Sequence, residues 1–404
     1  MTKHIPSSRL GIRSLLMLAR NGGWLLALFL LCACSIAPEA TPGAAGPQPT
    51  AARPTAVAQA PATLALPATP SATAPPSPTA TATPPPTATP TPSPEPTPSP
   101  EPTPDPVAGL TIDDLRAHEF GDGAIEIGEV YRRPRGYTTY RISYPVDGLR
   151  LTGLLHVPSG EGPFPVIIAN RGHIDPERYQ PGMDSRAFSE YFAPRGYLVV
   201  APDYRGYGGG DAGPNPFYTG YYADILTLIP MAQALPMARP GKVGMWGHSR
   251  GASITVAALT VSDQIAAAVV YAPAPADLAA DYERRRRQRS NRAGNDTWPF
   301  PPDQDPESYR RVSPINYFDS VSAPVMLHHG TADTTVDDSA SIAIADALRA
   351  AGKDVTLYLY EGGGHTLQGA YERLYFERTL EFFKQHLGQG SGARDQGSAG
   401  LTDP

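Results

Sequence analysis

The sequence predicts an α/β fold in which helices cover both faces of a mostly parallel central sheet. The prediction rests on short segments that are apolar on both faces, which recur along the chain and are separated by longer segments. Such runs are typical of buried parallel strands joined by helical crossovers. Two segments of strand character precede them, so we expect the sheet to begin antiparallel.

Nine segments are predicted to be strands, at 125–133, 138–144, 149–157, 164–169, 196–201, 242–247, 265–271, 324–328 and 355–360. Helices are expected at 217–235, 250–260, 338–351 and 367–387. About fifty residues separate the strands at 265–271 and 324–328. Because loops of that length in compact domains commonly carry function, we interpret residues 277–313 as a lid-like insertion.

The insertion contains four consecutive arginines at 284–287, on a segment that is also expected to be helical. Asp281 and Glu283 lie four residues before Arg285 and Arg287, a spacing that allows ion pairs on a helix. One interpretation is a solvated charged face. The other is a basic rim that attracts anionic substrates to the site.

The start of the chain is expected to lie outside the fold. Residues 1–33 combine a cationic segment with a short apolar run, which is typical of a signal peptide. Residues 38–106 hold 23 prolines in 69 positions and few large apolar side chains. We therefore predict that residues 34–106 form a disordered stalk rich in Pro, Thr, Ser and Ala.

The rest of the chain is enough for one sizeable core. Residues 107–387 are predicted to form a single domain, since single domains reach about 250–300 residues. Residues 388–404 are rich in Gly and Ser and are predicted to be a disordered tail.

Both cysteines of the chain lie near the end of the predicted signal peptide. The small residue Ala33 precedes Cys34, and this pattern resembles the lipobox of bacterial lipoproteins. Cys34 is therefore the predicted lipidation site, and an ordinary cleaved signal is the alternative. We expect an exported protein that a lipid anchor holds on a membrane, at the cell surface or in the extracytoplasmic space.

Composition excludes several function classes. Charged residues make up 18% of the chain and the net charge is −6, so we expect no general nucleic-acid binding. The Gly-rich segment at 207–211 lacks the Lys and Ser/Thr of a phosphate-binding loop. The sequence has no HExxH motif and no paired cysteines in the expected domain, so a zinc hydrolase, and with it a metal site, is not expected.

The strongest candidate for chemistry is Ser249, in the sequence Gly247-His-Ser-Arg-Gly251. The motif follows a predicted strand directly and precedes a predicted helix. A turn this tight requires small flanking residues and lifts the serine hydroxyl clear of the sheet. Ser249 is therefore the predicted nucleophile.

A serine hydroxyl needs a base, and the base needs a group that orients it. His365 follows the last predicted strand in a glycine-rich loop and is the predicted base. His328 and His329 lie at the end of a buried strand and are interpreted as structural. Asp333 follows that strand and is the predicted third member.

Asp337 and Asp338 are the alternatives to Asp333, but they lie where a helix cap is expected. The oxyanion that forms during acyl transfer requires two backbone N–H donors. We expect one from Arg250 and the other from His173, with Arg171 as the second choice.

Several segments together resemble the catalytic domain of the prolyl oligopeptidase family of serine peptidases. They lie at 202–208, 247–251, 313–317 and 329–333, with Gly364 and His365. The similarity extends over about residues 149–387. The resemblance implies an α/β-hydrolase fold, the triad Ser249, Asp333 and His365, and hydrolysis through an acyl-enzyme without a cofactor.

One departure from the family affects the expected substrate. Family peptidases usually carry a large β-propeller, and the roughly forty residues between the stalk and the core strands leave no room for one. Cleavage of peptide amides is the first interpretation. Hydrolysis of carboxylic esters, as in dienelactone hydrolases or carbohydrate esterases, is the alternative, and a non-catalytic surface binding module is the second alternative. The expected partner is accordingly a small peptide or ester substrate.

Overall fold

The computed structural model describes residues 105–288 and 297–389. The predicted signal peptide, Cys34, nearly all of the predicted stalk and the tail beyond Gln389 lie outside the described residues. Within the two described stretches, no helix has both the length and the apolar character needed to cross a membrane.

The nine strands of the described residues form one sheet in the order β1-β2-β3-β5-β4-β6-β7-β8-β9. Their bounds are β1 (Glu126–Arg132), β2 (Tyr137–Val146), β3 (Leu149–Pro158), β4 (Val166–Asn170), β5 (Leu198–Pro202), β6 (Val243–His248), β7 (Ile265–Tyr271), β8 (Val325–Gly330) and β9 (Val355–Tyr360). The neighbours from β1 to β5 pair antiparallel, and those from β5 to β9 pair parallel. The predicted fold class, a mostly parallel α/β-hydrolase sheet with an antiparallel start, is confirmed.

Helices cover both faces of the sheet. They are α1 (Ile112–Ala117), α2 (Arg186–Phe192), α3 (Thr219–Gln233), α4 (Arg250–Val261), α5 (Leu278–Arg287), α6 (Pro306–Val312), α7 (Ser339–Ala350) and α8 (Ala370–Leu387). Buried side chains of α3, α4 and α7 belong to one core cluster, and those of α2 and α8 belong to another.

The central strands divide their side chains between these two clusters. In β4, Val166 and Ile168 pack into the first cluster, whereas Ile167 and Ala169 pack into the second. Since successive side chains of a strand point to opposite faces, a strand buried on both sides must be apolar throughout. The continuous apolar runs of the sequence therefore correspond to the middle of the sheet.

The predicted insertion contains α5 and α6. Asp277 caps α5, where its side chain accepts hydrogen bonds from the N–H groups of Ala279 and Ala280. The N–H of Leu278 donates to Ser313 Oγ at 2.9 Å, which joins the two ends of the insertion. A third apolar cluster joins Leu278 of α5 and Tyr309 and Val312 of α6 to Phe217 and Val107.

Candidate active site

Ser249 occupies the sharp turn between β6 and α4. Its backbone has φ 52° and ψ −116°, a conformation that residues with side chains rarely adopt and that is common at functional sites. A Cβ on Gly247 would lie 2.3 Å from the carbonyl oxygen of Gly251, and one on Gly251 would lie 2.0 Å from that of Asn170. The two glycines of the motif are therefore required by close backbone approach, as the sequence predicts.

The structure brings Ser249, His365 and Asp333 together in one chain of hydrogen bonds. The Ser249 hydroxyl lies 2.9 Å from His365 Nε2, and His365 Nδ1 lies 2.6 Å from Asp333 Oδ2. His365 follows β9, and Asp333 lies between β8 and α7. All three side chains come from the carboxyl ends of parallel strands, where open α/β sheets gather their functional groups.

Asp333 is held in its ionised form. Burial would raise the pKa of Asp333, but hydrogen bonds from His329, His365 and the N–H of Val336 outweigh it and hold that pKa well below its usual range. The Oδ1 atom accepts the N–H groups of Thr335 and Val336, at 2.7 and 3.0 Å. An ionised carboxylate here can fix the His365 tautomer and stabilise the imidazolium that forms when Nε2 takes a proton.

The two neighbouring histidines of β8 differ in their surroundings. His329 Nε2 lies 3.1 Å from Asp333 Oδ2 and 3.0 Å from the carbonyl oxygen of Val336, so this nitrogen donates its proton. His329 is thus a second donor to the carboxylate, which the sequence interpretation missed. His328 is fully buried beside the Tyr360 hydroxyl, and its pKa is lowered to about 3 by burial and then by Arg378.

The alternatives to Asp333 lie at the start of α7. Asp337 Oδ1 accepts the N–H of Ser339 at 3.0 Å, and Asp338 is the residue that precedes the helix. Of the carboxylates in this loop, Asp333 is the one that contacts His365.

Arg250 and His173, the expected oxyanion donors, line the same cavity as Ser249. The N–H of Gly172 is already used, since it donates to Asp184 Oδ2 at 2.5 Å. The side chain of Arg171 is enclosed by the rings of three tyrosines, Tyr179, Tyr204 and Tyr207. The roles of the Arg250 and His173 N–H groups as oxyanion donors stay predictions.

An ion pair between the buried His248 and the more exposed Asp184 lies next to the nucleophile and was not found from the sequence. His248 Nδ1 lies 2.8 Å from Asp184 Oδ1, and His248 Nε2 lies 3.1 Å from the carbonyl oxygen of His365. Neither acceptor carries a proton to donate, so both ring nitrogens of His248 donate and the ring is an imidazolium. Burial lowers the pKa of His248, but the charge of Asp184 and its hydrogen bond outweigh it and raise that pKa.

The cavity beside Ser249 has a volume of about 480 Å³. Its walls come from the nucleophile turn, from the loop that holds Asp333 and from the end of α5, which supplies Arg284 and Arg285. Arg284 and Gln288 both donate to the carbonyl oxygen of Thr335, at 3.3 and 2.9 Å. These two contacts hold the end of α5 beside the site. Among the described residues, no cluster of His, Cys, Asp or Glu could hold a metal ion.

Comparison with known proteins supports this assignment of fold and chemistry. The model of the prolyl oligopeptidase family matches residues 184–390. An uncharacterized peptidase of Bacillus subtilis (strain 168), YtmA, is 29% identical over 248 residues, which are 61% of this chain and 93% of that protein.

Solved structures share the fold at low sequence identity. The acylaminoacyl peptidase of Pyrococcus horikoshii is 22% identical with a TM-score of 0.51, and the match covers 65% of this chain and 44% of that one. The acetyl xylan esterase of Paenibacillus sp. R4 is 17% identical with a TM-score of 0.53, and the match covers 71% of this chain and 97% of that one. Because the family model matches just over half of the chain, this protein is a serine hydrolase that belongs to the prolyl oligopeptidase family.

Proposed function

We propose that this serine hydrolase is a peptidase in which Ser249, His365 and Asp333 act as a catalytic triad on peptide amide bonds. The observation that carries the proposal is the continuous hydrogen-bond chain from the Ser249 hydroxyl through His365 to Asp333, with links of 2.9 and 2.6 Å. The chain connects a nucleophile, a base and an orienting carboxylate, which is what acyl transfer requires.

In the proposed reaction, His365 Nε2 takes the hydroxyl proton as Ser249 Oγ bonds to the carbonyl carbon of the substrate. The C–N bond then breaks, the amine leaves with the proton from Nε2, and an ester remains on Ser249. A water molecule gives a proton to the same nitrogen and attacks this ester. The acid is released as the proton returns to Ser249 Oγ.

The N–H groups of Arg250 and His173 are the proposed donors to the oxyanion. Their place on the cavity wall beside Ser249 supports this role. Donors of this kind each lower the barrier by about 2.7–4 kcal/mol. These donors transfer no proton, so every proton transfer of the proposed reaction passes through His365 Nε2.

Carboxylic-ester hydrolysis is the second candidate function. The same hydroxyl, base and donors serve both reactions, and the difference lies in the leaving group. An amine must be protonated as it departs, whereas an activated alkoxide leaves readily. The Bacillus relative is described as a peptidase, which favours amide hydrolysis. The acetyl xylan esterase shares the fold, which makes ester hydrolysis the alternative.

A matched pair of substrates separates the two functions. We expect the protein to hydrolyse both a 4-nitroanilide and a 4-nitrophenyl ester that carry the same acyl-amino-acid group. Ser249→Ala is expected to lose fluorophosphonate labelling and at least about a thousandfold in turnover. Ester turnover with amide turnover equal to the Ser249→Ala background would establish an esterase.

Asp337 provides a matched control for Asp333, the third member of the proposed triad, because both carboxylates lie in the same loop. Asp333→Asn is expected to lower kcat about 10³–10⁴-fold, because the amide cannot hold the His365 tautomer. Asp337→Asn, in the same loop, should retain ordinary turnover. Labelling that persists in Ser249→Ala, or equal loss in both Asn variants, would overturn the assignment.

A further inference from the structure

The four consecutive arginines at 284–287 divide into two that line the cavity and two that do not. Arg284 and Arg285 lie on the cavity wall with Ser249. Arg286 instead pairs with Glu283 on the outer side of α5, where 67% of its side chain is exposed. The basic run is therefore neither wholly a solvated face nor wholly a rim.

Arg284 is fully occupied by contacts within the protein. Its Nε and Nη2 donate to Asp281 Oδ1 at 2.9 and 2.6 Å. Its Nη1 donates to Gln288 and to the carbonyl oxygen of Thr335. These contacts fasten α5 to the loop of Asp333 and leave little for a ligand.

Arg285 and Arg250 keep donors to spare. Arg285 Nε donates to Asp281 Oδ2 at 2.9 Å, and its terminal nitrogens have no acceptor among the described residues. Arg250 is 9% exposed, pairs with no described carboxylate, and its Nε is buried without a partner. Both guanidinium groups flank the ring of Tyr218, with the Arg250 carbon 4.0 Å and the Arg285 carbon 5.4 Å from its centre.

The charges around the cavity do not balance. Within residues 105–288 and 297–389, Asp281 is the one carboxylate paired with these arginines, and it already serves both Arg284 and Arg285. Asp333 is engaged by His365 and His329, and the exposed carboxylate of Asp175 lies 3.5 Å from His173 rather than against an arginine. A buried guanidinium without an anion is costly, which is why such groups normally have one.

Neighbouring groups respond to this positive charge. The pKa of His173 is lowered to about 4 by burial first and then by the charges of Arg250 and Arg285, which together outweigh the opposing charge of Asp175. His173 is therefore neutral near pH 7 and adds no charge of its own. The unmatched charge of the cavity belongs to Arg250 and Arg285.

We propose that Arg250 and Arg285 form an anion subsite that binds a carboxylate of the substrate close to the scissile carbonyl. The preferred substrates are then acidic: peptides or esters that carry a carboxylate beside the bond to be cleaved. The inference rests on the proposed role of Ser249, since the subsite acts on the bond that this hydroxyl attacks.

The test compares an acid with its own neutral ester. The first pair is mono-4-nitrophenyl adipate and its methyl ester, and the second is 4-acetoxybenzoate and its methyl ester. The first pair places the carboxylate on the acyl side and the second on the leaving side. We expect kcat/KM to favour the acid of at least one pair by about tenfold or more, and less at high salt.

Variants of single arginines identify the residues of the subsite. Arg285→Gln and Arg250→Gln are expected to abolish the acid preference, measured as the ratio of the two kcat/KM values. Arg286→Gln is the matched control, since it removes the same charge outside the cavity, and its ratio should equal that of the unchanged protein. Tm and fluorophosphonate labelling report whether each variant retains a folded site.

Binding tests the subsite independently of catalysis. In Ser249→Ala, calorimetry should show the preferred acid binding about tenfold or more tightly than its methyl ester, and adding Arg285→Gln should remove the difference. Equal affinity for acid and ester in this background would overturn the subsite, even if Ser249 proves to be the nucleophile. Turnover that persists in Ser249→Ala while the binding difference is intact would instead count against the proposed function alone.

Discussion

His248 links three parts of the site through two hydrogen bonds. Its ring contacts Asp184 on one side and the carbonyl oxygen of His365 on the other, and Asp184 also accepts the N–H of Gly172. The loop of the expected oxyanion donors, the nucleophile turn and the loop of the base are thereby joined by one ion pair. We infer that the Asp184–His248 pair is a positioning element for His365.

This arrangement predicts a pH dependence. The pKa of His248 is raised, so its charged form, and with it the bond to the His365 carbonyl, is present at low pH and is lost as pH rises through that pKa. Asp184→Asn removes the charge that opposes burial, and the alkaline limb of kcat/KM should move to lower pH. At about pH 8 we expect a loss of about tenfold or more, the effect of one hydrogen bond to a charged group.

The shape of the profile distinguishes positioning from a merely structural role. A variant whose activity is lowered equally at every pH, with the alkaline limb unmoved, would contradict the inference. The measurement is kcat/KM between about pH 6 and 10, and Tm at each pH serves as the control for folding.

At the residue scale, the triad could be predicted because its members follow recognisable strands. The residues that hold the triad in place, Asp184 and His329, could not. Ser249, Asp333 and His365 follow strands whose apolar character is evident, so their convergence could be predicted. Asp184 lies in a loop before α2, with φ 68° and no strand pattern around it. His328 and His329 were both interpreted as structural because they lie at the end of a buried strand, and only their side-chain contacts distinguish their roles.

The nucleophile turn is the element in which backbone geometry is most demanding. A Cβ at position 251 would lie 2.0 Å from the carbonyl oxygen of Asn170, at the end of β4. Both groups belong to buried elements, so Gly251→Ala should lower the free energy of unfolding by about 3 kcal/mol or more. Gly364→Ala is the control, because a Cβ there meets no atom within 4 Å.

Urea unfolding measures both glycine variants. We expect the midpoint of Gly364→Ala to stay close to that of the unchanged protein and that of Gly251→Ala to fall clearly. Equal midpoints for the two variants would show that α4 can move away from β4 without loss, and the close approach would not explain the glycine.

Buried strands and long helices could be predicted from the sequence, whereas short helices could not. All nine strands were expected, because each interior strand is a continuous apolar run. The helices missed were α1, α2 and α6, each of six or seven residues. A helix of fewer than two turns repeats too few positions for its periodicity to be recognised.

Helix α5 was expected from the sequence, but the sequence did not show which of its arginines face the cavity. That choice depends on Asp281, which is 2% exposed and draws Arg284 and Arg285 inward. The spacing suggested a pair between Glu283 and Arg287, whereas Glu283 contacts Arg286. Pairs at three and four residues are equally available on a helix, so burial rather than spacing decides between them.

On the scale of the whole molecule, the charge near Ser249 is opposite in sign to that of the chain. The net charge is −6, yet three guanidinium groups line the wall of one cavity. A low-dielectric cleft concentrates the field of its own charges more than that of distant ones. An acidic substrate would therefore meet repulsion from the surface as a whole and attraction at the site, and salt should weaken both.

The place of the enzyme in the cell is a separate proposal, which rests on the sequence before the domain. We propose that Cys34 carries a lipid that anchors the protein, with the proline-rich residues 34–106 as a spacer. Stable attachment requires two acyl signals or more, so loss of the modified cysteine should release the protein. Cys34→Ser is expected to move the protein from the membrane to the soluble fraction, whereas Cys32→Ser, the matched control two residues away, should stay with the membrane. If the unchanged protein is already soluble after export, or if both variants remain membrane-bound, Cys34 is not the anchor.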